Sequence, residues 1–215
     1  MTTYLSLTDH VYNYIVEQIN SGTLQSNKKI NENVVSEALN VSRTPVREAL
    51  IQLASEGLLE NVPRKGFFIK NLSKEEAMET YFIIGALDGL AASLSTPLLK
   101  EKHLKEMEFY IESIDLAINT GNFAMYHKMQ EAFHHVYLSL CPNQSLVNLL
   151  LKLEKKFLKN FEWMEDHEWT ASKLTETNNE HRHMLELFRT GKTSELEVFM
   201  KEVHWNPEKA ALLPL

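Results

Sequence analysis

Apolar residues recur at helical spacing along most of this chain, and the exceptions are local. Over residues 8–20, Val11, Ile15 and Ile19 make one stripe, with Thr8 placed to cap the start and Gly22 to stop the helix. Asn31 suits the cap of a second short helix whose apolar positions are Val34, Val35, Ala38 and Leu39, and Asn40 suits its left-handed end. Ser42 or Thr44 opens a third, with Pro45 in the first turn, where its missing N–H costs little. Val46, Ala49, Leu50 and Leu53 then point inward, and Gly57 ends the run. The period changes next. Leu58–Val62 and Phe67–Ile69 lean towards strand on either side of Pro63-Arg64-Lys65-Gly66, which predicts a β-hairpin with Gly66 at the turn. Helix, helix, short turn, helix and basic-tipped hairpin is the order of a winged helix-turn-helix.

After Ser73 the strand signals vanish. Six helical segments are expected, over 74–95, 100–119, 121–140, 144–166, 171–189 and 192–204, punctuated by Pro97, Gly121, Pro142-Asn143 and Gly191. Short connections predict antiparallel neighbours in a bundle. The expected fold is mainly α: a winged helix-turn-helix domain over 1–70, a linker and start of the bundle over 71–79, and an all-α helical domain over 74–215.

Composition changes this picture little, but charge sharpens it. The net charge of −7 repels phosphate taken whole. Residues 1–70, however, hold seven Lys/Arg and seven Asp/Glu, so the entire deficit sits in the helical remainder. Cys141 is the sole cysteine, which excludes an intrachain disulfide and reads as a packing residue. "MTTYLSLTDH" has neither a basic start nor an apolar run, and "YFIIGALDGLAASL" is short for a bilayer and broken by Asp88. A cytoplasmic protein without a membrane partner is expected.

Arg43 and Arg47 stand one helical turn apart, opposite Val46 and Leu50, so both project from the exposed face of the third helix. Arginine grips guanine O6/N7 bidentately or clamps a phosphate. Ser42 and Thr44 at the helix start can donate to phosphates, and Arg64-Lys65-Gly66 is the natural second contact. The plainer alternative is a solvated face partly neutralised by Glu48.

"EALNVSRTPVREALIQLASEGLLENVPRKGFFI" resembles the DNA-binding signature of the GntR family of bacterial transcription regulators. The upstream "INSGTLQSNKKINENVVSEAL" continues the likeness, with Ser26-Asn27 in place of the usual Pro-Gly. The resemblance implies DNA contacts at Ser42, Arg43, Thr44, Arg47, Lys65 and Gly66. A further family contact, an arginine early in the second helix, falls on Asn33 here. Arg64 joins the set as a wing cation.

"LDGLAASL" (87–94), "AFHHVYLSLCPNQSL" (132–146) and "NEHRHMLELFRTGKTSELEVFMKEVH" (179–204) resemble the ligand-sensing FCD domain of the FadR branch, in its VanR-like, six-helix form. The resemblance implies a homodimer on a palindromic double-stranded operator, a small-molecule effector such as an organic acid, and a divalent metal ion of Zn, Ni or Mn type. Family ligands are an Asp and three His. His134 and His181 match two of the histidines, but the acidic position is Gln130. The third histidine is expected at Val203, whereas His204 lies one residue on, about 100° round an ideal helix. A local bulge would restore it. Asp88, His127, Gln130, His134 and His181 are the candidate effector pocket, and His134, His181 and His204 the candidate metal ligands. The alternative is a polar pocket without metal.

An arginine common one turn before Asp88 is Ile84 here, which removes a cation for a carboxylate effector. His135 and His183 are expected at the surface, and Trp163 and Trp169 either lid a pocket or finish the core. A metal-dependent hydrolase using His127, Glu131, His134 and His181 is a competing reading. The chain, however, has no HExxH, no phosphate loop and no paired acid and base. A helical interaction module without DNA binding is opposed by Arg43, Arg47 and the wing.

Overall fold

The computed structural model describes residues 5–20, 23–24, 28–70, 72–157 and 167–210. Helix α1 (Leu7–Asn20) opens on a reciprocal cap. Ser6 Oγ accepts from Asp9 N at 3.1 Å and Asp9 Oδ2 accepts from Ser6 N at 2.9 Å. The cap is therefore Ser6, not Thr8, because the acidic residue completing the box lies three positions after Ser6. Thr8 instead donates to Glu48 at 2.8 Å. The expected stop at Gly22 lies outside the described residues.

Helix α2 (Glu32–Leu39) is capped by Asn31, whose side chain accepts from Asn33 N, and closed by Asn40 at φ 51°. Helix α3 (Arg43–Ser55) follows Ser42, whose backbone is extended and whose side chain makes no cap bond. Val46, Ala49, Leu50 and Leu53 bury against Val11, Ile15, Ile19 and Val35 in one core, which the hairpin residues Leu59, Phe67 and Ile69 complete. Strands β1 (Leu59–Val62) and β2 (Gly66–Ile69) pair antiparallel, Leu59 opposite Ile69 and Val62 opposite Gly66. Lys29 bridges Phe68 on the far side of β2, adding a rung that the hydrophobic pattern does not announce.

The helical part comprises α4 (Lys74–Ser95), α5 (Glu101–Asn119), α6 (Phe123–Leu138), α7 (Gln144–Glu154), α8 (His167–Thr190), α9 (Thr193–Phe199) and α10 (Pro207–Ala210). The helix expected over 144–166 is α only to Glu154, then tightens to a 3₁₀ turn at Lys155–Phe157. The rest of that span, with Trp163, lies outside the described residues. α8 begins at His167, ahead of the expected 171, and takes in Trp169, which is 38% exposed and does not finish a core. α9 does not end as an α-helix but widens into a π-helical turn, Met200–His204.

The described residues separate into two compact units, one of residues up to Ser73 joined by the segment from Lys152, the other over Lys74–Leu151 and the later helices. Within the second, α5 packs on α6 and α8, while α4 packs on α9, the π turn and α10. Two glycines permit that approach. A Cβ on Gly89 would stand 3.0 Å from Glu197 O, and one on Gly85 3.1 Å from Lys201 Cα. With its 3₁₀ extension α4 runs 25 residues and is long and apolar enough to cross a bilayer by length and composition. That corrects the shorter sequence reading, which counted only residues 81–94. Asp88, wholly buried in the middle of α4, explains why the helix sits in a bundle: its carboxylate has polar partners there.

Candidate metal centre and nucleic-acid interface

Three imidazoles from three elements meet inside the helical unit. His134 comes from α6, His181 from α8 and His204 from the π turn, and all three are buried. His134 Nε2 lies 3.3 Å from His181 Nε2 and 3.3 Å from His204 Nε2. The π turn brings His204 inward. Its extra residue rotates the chain beyond it by about 100°, so that His204 is 6% exposed and Val203, where regular spacing places the ligand, is 40% exposed.

The opposite ring nitrogens settle where the protons sit. Asn178 donates to Ile111 O (3.0 Å) and Asp115 Oδ1 (2.7 Å), which leaves its Oδ1 to accept from His181 Nδ1 at 3.3 Å. Glu180 Oε2 accepts from His204 Nδ1 at 2.9 Å, and the same carboxylate pairs with Lys209 on α10. Tyr137 OH donates to Asp88 Oδ1 at 2.7 Å, so its oxygen accepts from His134 Nδ1, also at 2.7 Å. Trp205 Nε1 donates to Asp88 Oδ2 at 2.8 Å, and His134 Nδ1 is 3.5 Å from that oxygen.

Each Nδ1 thus faces an acceptor, and the Nε2 atoms of His181 and His204 each lie 3.3 Å from that of His134. Lone pairs at this spacing repel unless a cation lies between them. Four ligands about 2.0–2.1 Å from a tetrahedral ion stand roughly 3.3–3.4 Å apart, which matches the separations found. Burial holds His181 well below the usual histidine range, reinforced by charge on His204, His134, Lys209 and Arg182. Burial likewise lowers His204, against the opposing pull of Glu180. Both rings are therefore kept neutral, the form that ligates a metal. Burial alone would raise Asp88, but the bonds from His134, Tyr137 and Trp205 outweigh it and hold the carboxylate below its ordinary value.

Sequence periodicity put His127 and Gln130 on the stripe of His134, and among the described residues His127 does not enter the convergent group. His127 is pushed down by burial and packs edge-on to Tyr126; Gln130 is half-buried one turn before His134. Asp88 does reach the site, behind His134. Glu131, His135 and His183 are exposed. Tyr137, Asn178, Glu180, Trp205 and Lys209 were not singled out by sequence. The available signal was spacing, because Tyr137 is three residues after His134 and Asn178 three before His181.

In the first unit, Ser42, Arg43, Thr44 and Arg47 line the exposed side of α3, and Asn33 is exposed on α2. The acid beside Arg47 is Glu32, at 3.4 Å with Arg47 66% exposed, whereas Glu48 is held by Thr8. The expected neutralisation by Glu48 is corrected accordingly. At the wing Arg64 (φ 64°) and Gly66 (φ 107°) both take left-handed backbone, and Lys65 N donates to Val62 O. Lys29 lies across Gly66, where an added Cβ would fall 3.0 Å from its Cε, so Lys29 joins Arg64 and Lys65 at the tip.

Residues 7–69 match the model of bacterial regulatory proteins of the gntR family, and residues 79–203 match that of the FCD domain. The chain belongs to the GntR family of regulators that carry an FCD domain. The HTH-type transcriptional regulator YdhC of Bacillus subtilis is 32% identical over 65% of this chain and 62% of its own length. This GntR–FCD chain therefore spans about three fifths of that relative. A probable D-xylose utilization operon transcriptional repressor of Paenarthrobacter nicotinovorans is 28% identical over 67% of this chain and 64% of its own. Among solved structures, E. coli McbR/YncC superposes with a TM-score of 0.81 at 20% identity, covering 97% of this chain and 98% of that one, and so shares the fold. The matching families are of transcription regulators, not of enzymes.

Proposed function

We propose that this GntR–FCD protein is a DNA-binding transcription repressor whose operator affinity is set by an effector bound in the helical unit. One observation carries the DNA reading. Arg43 and Arg47 project from the solvent side of a helix whose other side is the core of the winged unit. In this reading Arg43 and Arg47 read base edges or clamp phosphate, Ser42 and Thr44 hold the backbone at the helix start, Asn33 flanks them, and Lys29, Arg64, Lys65 and Gly66 form the wing contact. Arg47 exchanges Glu32 for DNA. Arg47→Ala tests the assignment in an anisotropy titration against a duplex selected from a random-sequence library. A loss of at least tenfold in affinity, with the far-ultraviolet dichroism unchanged, is expected; unchanged affinity overturns the reading.

In the helical unit, His134, His181 and His204 hold a divalent metal ion, supported by three converging lone pairs and by an acceptor behind each ring. Bound there, the ion supplies a Lewis-acidic centre with a coordination position open to a small oxygen-donor effector such as an organic acid. An effector that favours one arrangement of two wings changes operator affinity by the same factor that DNA changes effector affinity. The two wings come from a homodimer on a palindromic operator. Supporting it, Phe82, Ile83, Leu90, Leu94 and Leu98 are 37–55% exposed along one side of α4 and its extension, a stripe of about 24 Å at 1.5 Å per residue. A chromosomal operator places the protein in the cytoplasm.

A further inference from the structure

If His134, His181 and His204 hold a metal ion as proposed above, the donor set of this chain also decides which ion. We infer that residue 130 is the specificity-determining position. As a neutral glutamine one turn before His134, it leaves an all-imidazole set that takes ions of the zinc class and rejects the oxygen-preferring Mn²⁺.

Two acids stand close enough to matter, buried Asp88 and half-buried Glu180, and both are already committed. Asp88 spends Oδ1 on Tyr137 and Oδ2 on Trp205, and it faces the Nδ1 side of His134, across the ring from the converging Nε2 atoms. Glu180 spends one oxygen on His204 Nδ1 and the other on Lys209. Their negative charge reaches an ion only through the imidazoles, whose basicity it raises. The ion itself meets three neutral nitrogens. Imidazole suits Zn²⁺, Ni²⁺ and Cu²⁺, whereas Mn²⁺ depends on carboxylate and carbonyl oxygen.

A carboxylate could enter from α6 without disturbing those bonds. Residues 130 and 134 are neighbours on one face of that helix, and Gln130 is half-buried, so it has room to change. Its amide oxygen carries no net charge and is a weak donor to a dication. Aspartate there would add an anionic oxygen beside three imidazoles, which helps Mn²⁺ far more than it helps Zn²⁺.

The test uses the full chain freed of metal with chelator and then dialysed. Zn²⁺ uptake is measured by competition with a chromophoric chelator, and Mn²⁺ uptake by loss of the free-ion electron paramagnetic resonance signal. Wild type is expected to take one equivalent of Zn²⁺ and none of Mn²⁺ at an ion concentration of about 0.1 mM, since its donors suit only the first ion. Gln130→Asp is expected to bind one Mn²⁺ and to lower the Zn²⁺-to-Mn²⁺ affinity ratio at least tenfold. Stoichiometric Mn²⁺ on wild type, or an unchanged ratio in Gln130→Asp and in Gln130→Glu, overturns the inference while leaving the metal centre standing. Failure of wild type to bind Zn²⁺ overturns the metal centre itself. Dichroism confirms that each variant is folded, and Gln130→Glu serves where Gln130→Asp is not.

Discussion

His204 Nε2 stands 3.3 Å from His134 Nε2, although regular helical spacing would have turned Val203, not His204, towards it. The π turn Met200–His204 is therefore part of the site. We expect His204→Ala to abolish uptake of one equivalent of Zn²⁺, and the double variant Val203→His/His204→Ala not to restore it, because residue 203 faces away. Metal content by atomic emission checks both. Recovery in the double variant would show that the turn relaxes to a regular helix.

Glu180 accepts from His204 and pairs with Lys209, so in the proposed metal centre it would orient a ligand without touching the ion. Glu180→Gln should weaken Zn²⁺ binding about 10–100-fold, the usual cost of losing an outer carboxylate. Competition with a chelator of known affinity measures it. A variant indistinguishable from wild type would mean that packing alone fixes the His204 ring.

Lys29 lies over Gly66 at the wing. A phosphate contact there predicts that Lys29→Ala weakens binding evenly across duplex sequences and reduces the slope of log affinity against log salt by about 0.9 per protomer. Arg47→Ala should instead erase the preference for the selected duplex over a scrambled one. An unchanged slope for Lys29→Ala would place that cation away from DNA.

The exposed stripe on α4 predicts that Leu90→Glu, which sits 40% exposed at its middle, separates protomers. Sedimentation velocity should read a dimer for wild type and half that mass for the variant, with Zn²⁺ uptake unchanged. A wild-type monomer at micromolar concentration would argue against this face.

Leu50 is fully buried behind the exposed arginine side of α3, among Val11, Ile15 and Val46. Leu50→Ala should cost about 2–5 kcal/mol in urea unfolding, through lost burial and the cavity left behind. A cost under about 1 kcal/mol would mean the winged core closes around the gap.

Much of the winged unit was legible because its signals are local. Asn31 and Asn40 cap α2 through bonds within a few residues, and the alternation of Val46, Ala49, Leu50 and Leu53 sets which side of α3 is left to Arg43 and Arg47. The sequence alone points to Thr8 and not Ser6 as the first cap, because both hydroxyls precede the same apolar stripe and only the partner Asp9 separates them. Glu32 beside Arg47 and Lys29 across Gly66 were invisible, since each joins segments that meet only in the folded domain.

In the helical unit the same division holds more sharply. The sequence by itself determined that the chain is mainly helical, that it carries the two family signatures, and that His134, His181 and His204 were candidates. It also showed that Gln130 stands where an acid was expected. Only the tertiary structure decided that the three histidines meet and His127 does not. It also placed Asp88 and Glu180 behind the rings, and spent an extra residue in a π turn to bring His204 round. Periodicity defines a helix face, but which neighbour that face meets depends on packing between elements far apart in the chain. A one-residue change of helical pitch carries almost no signature in residue type.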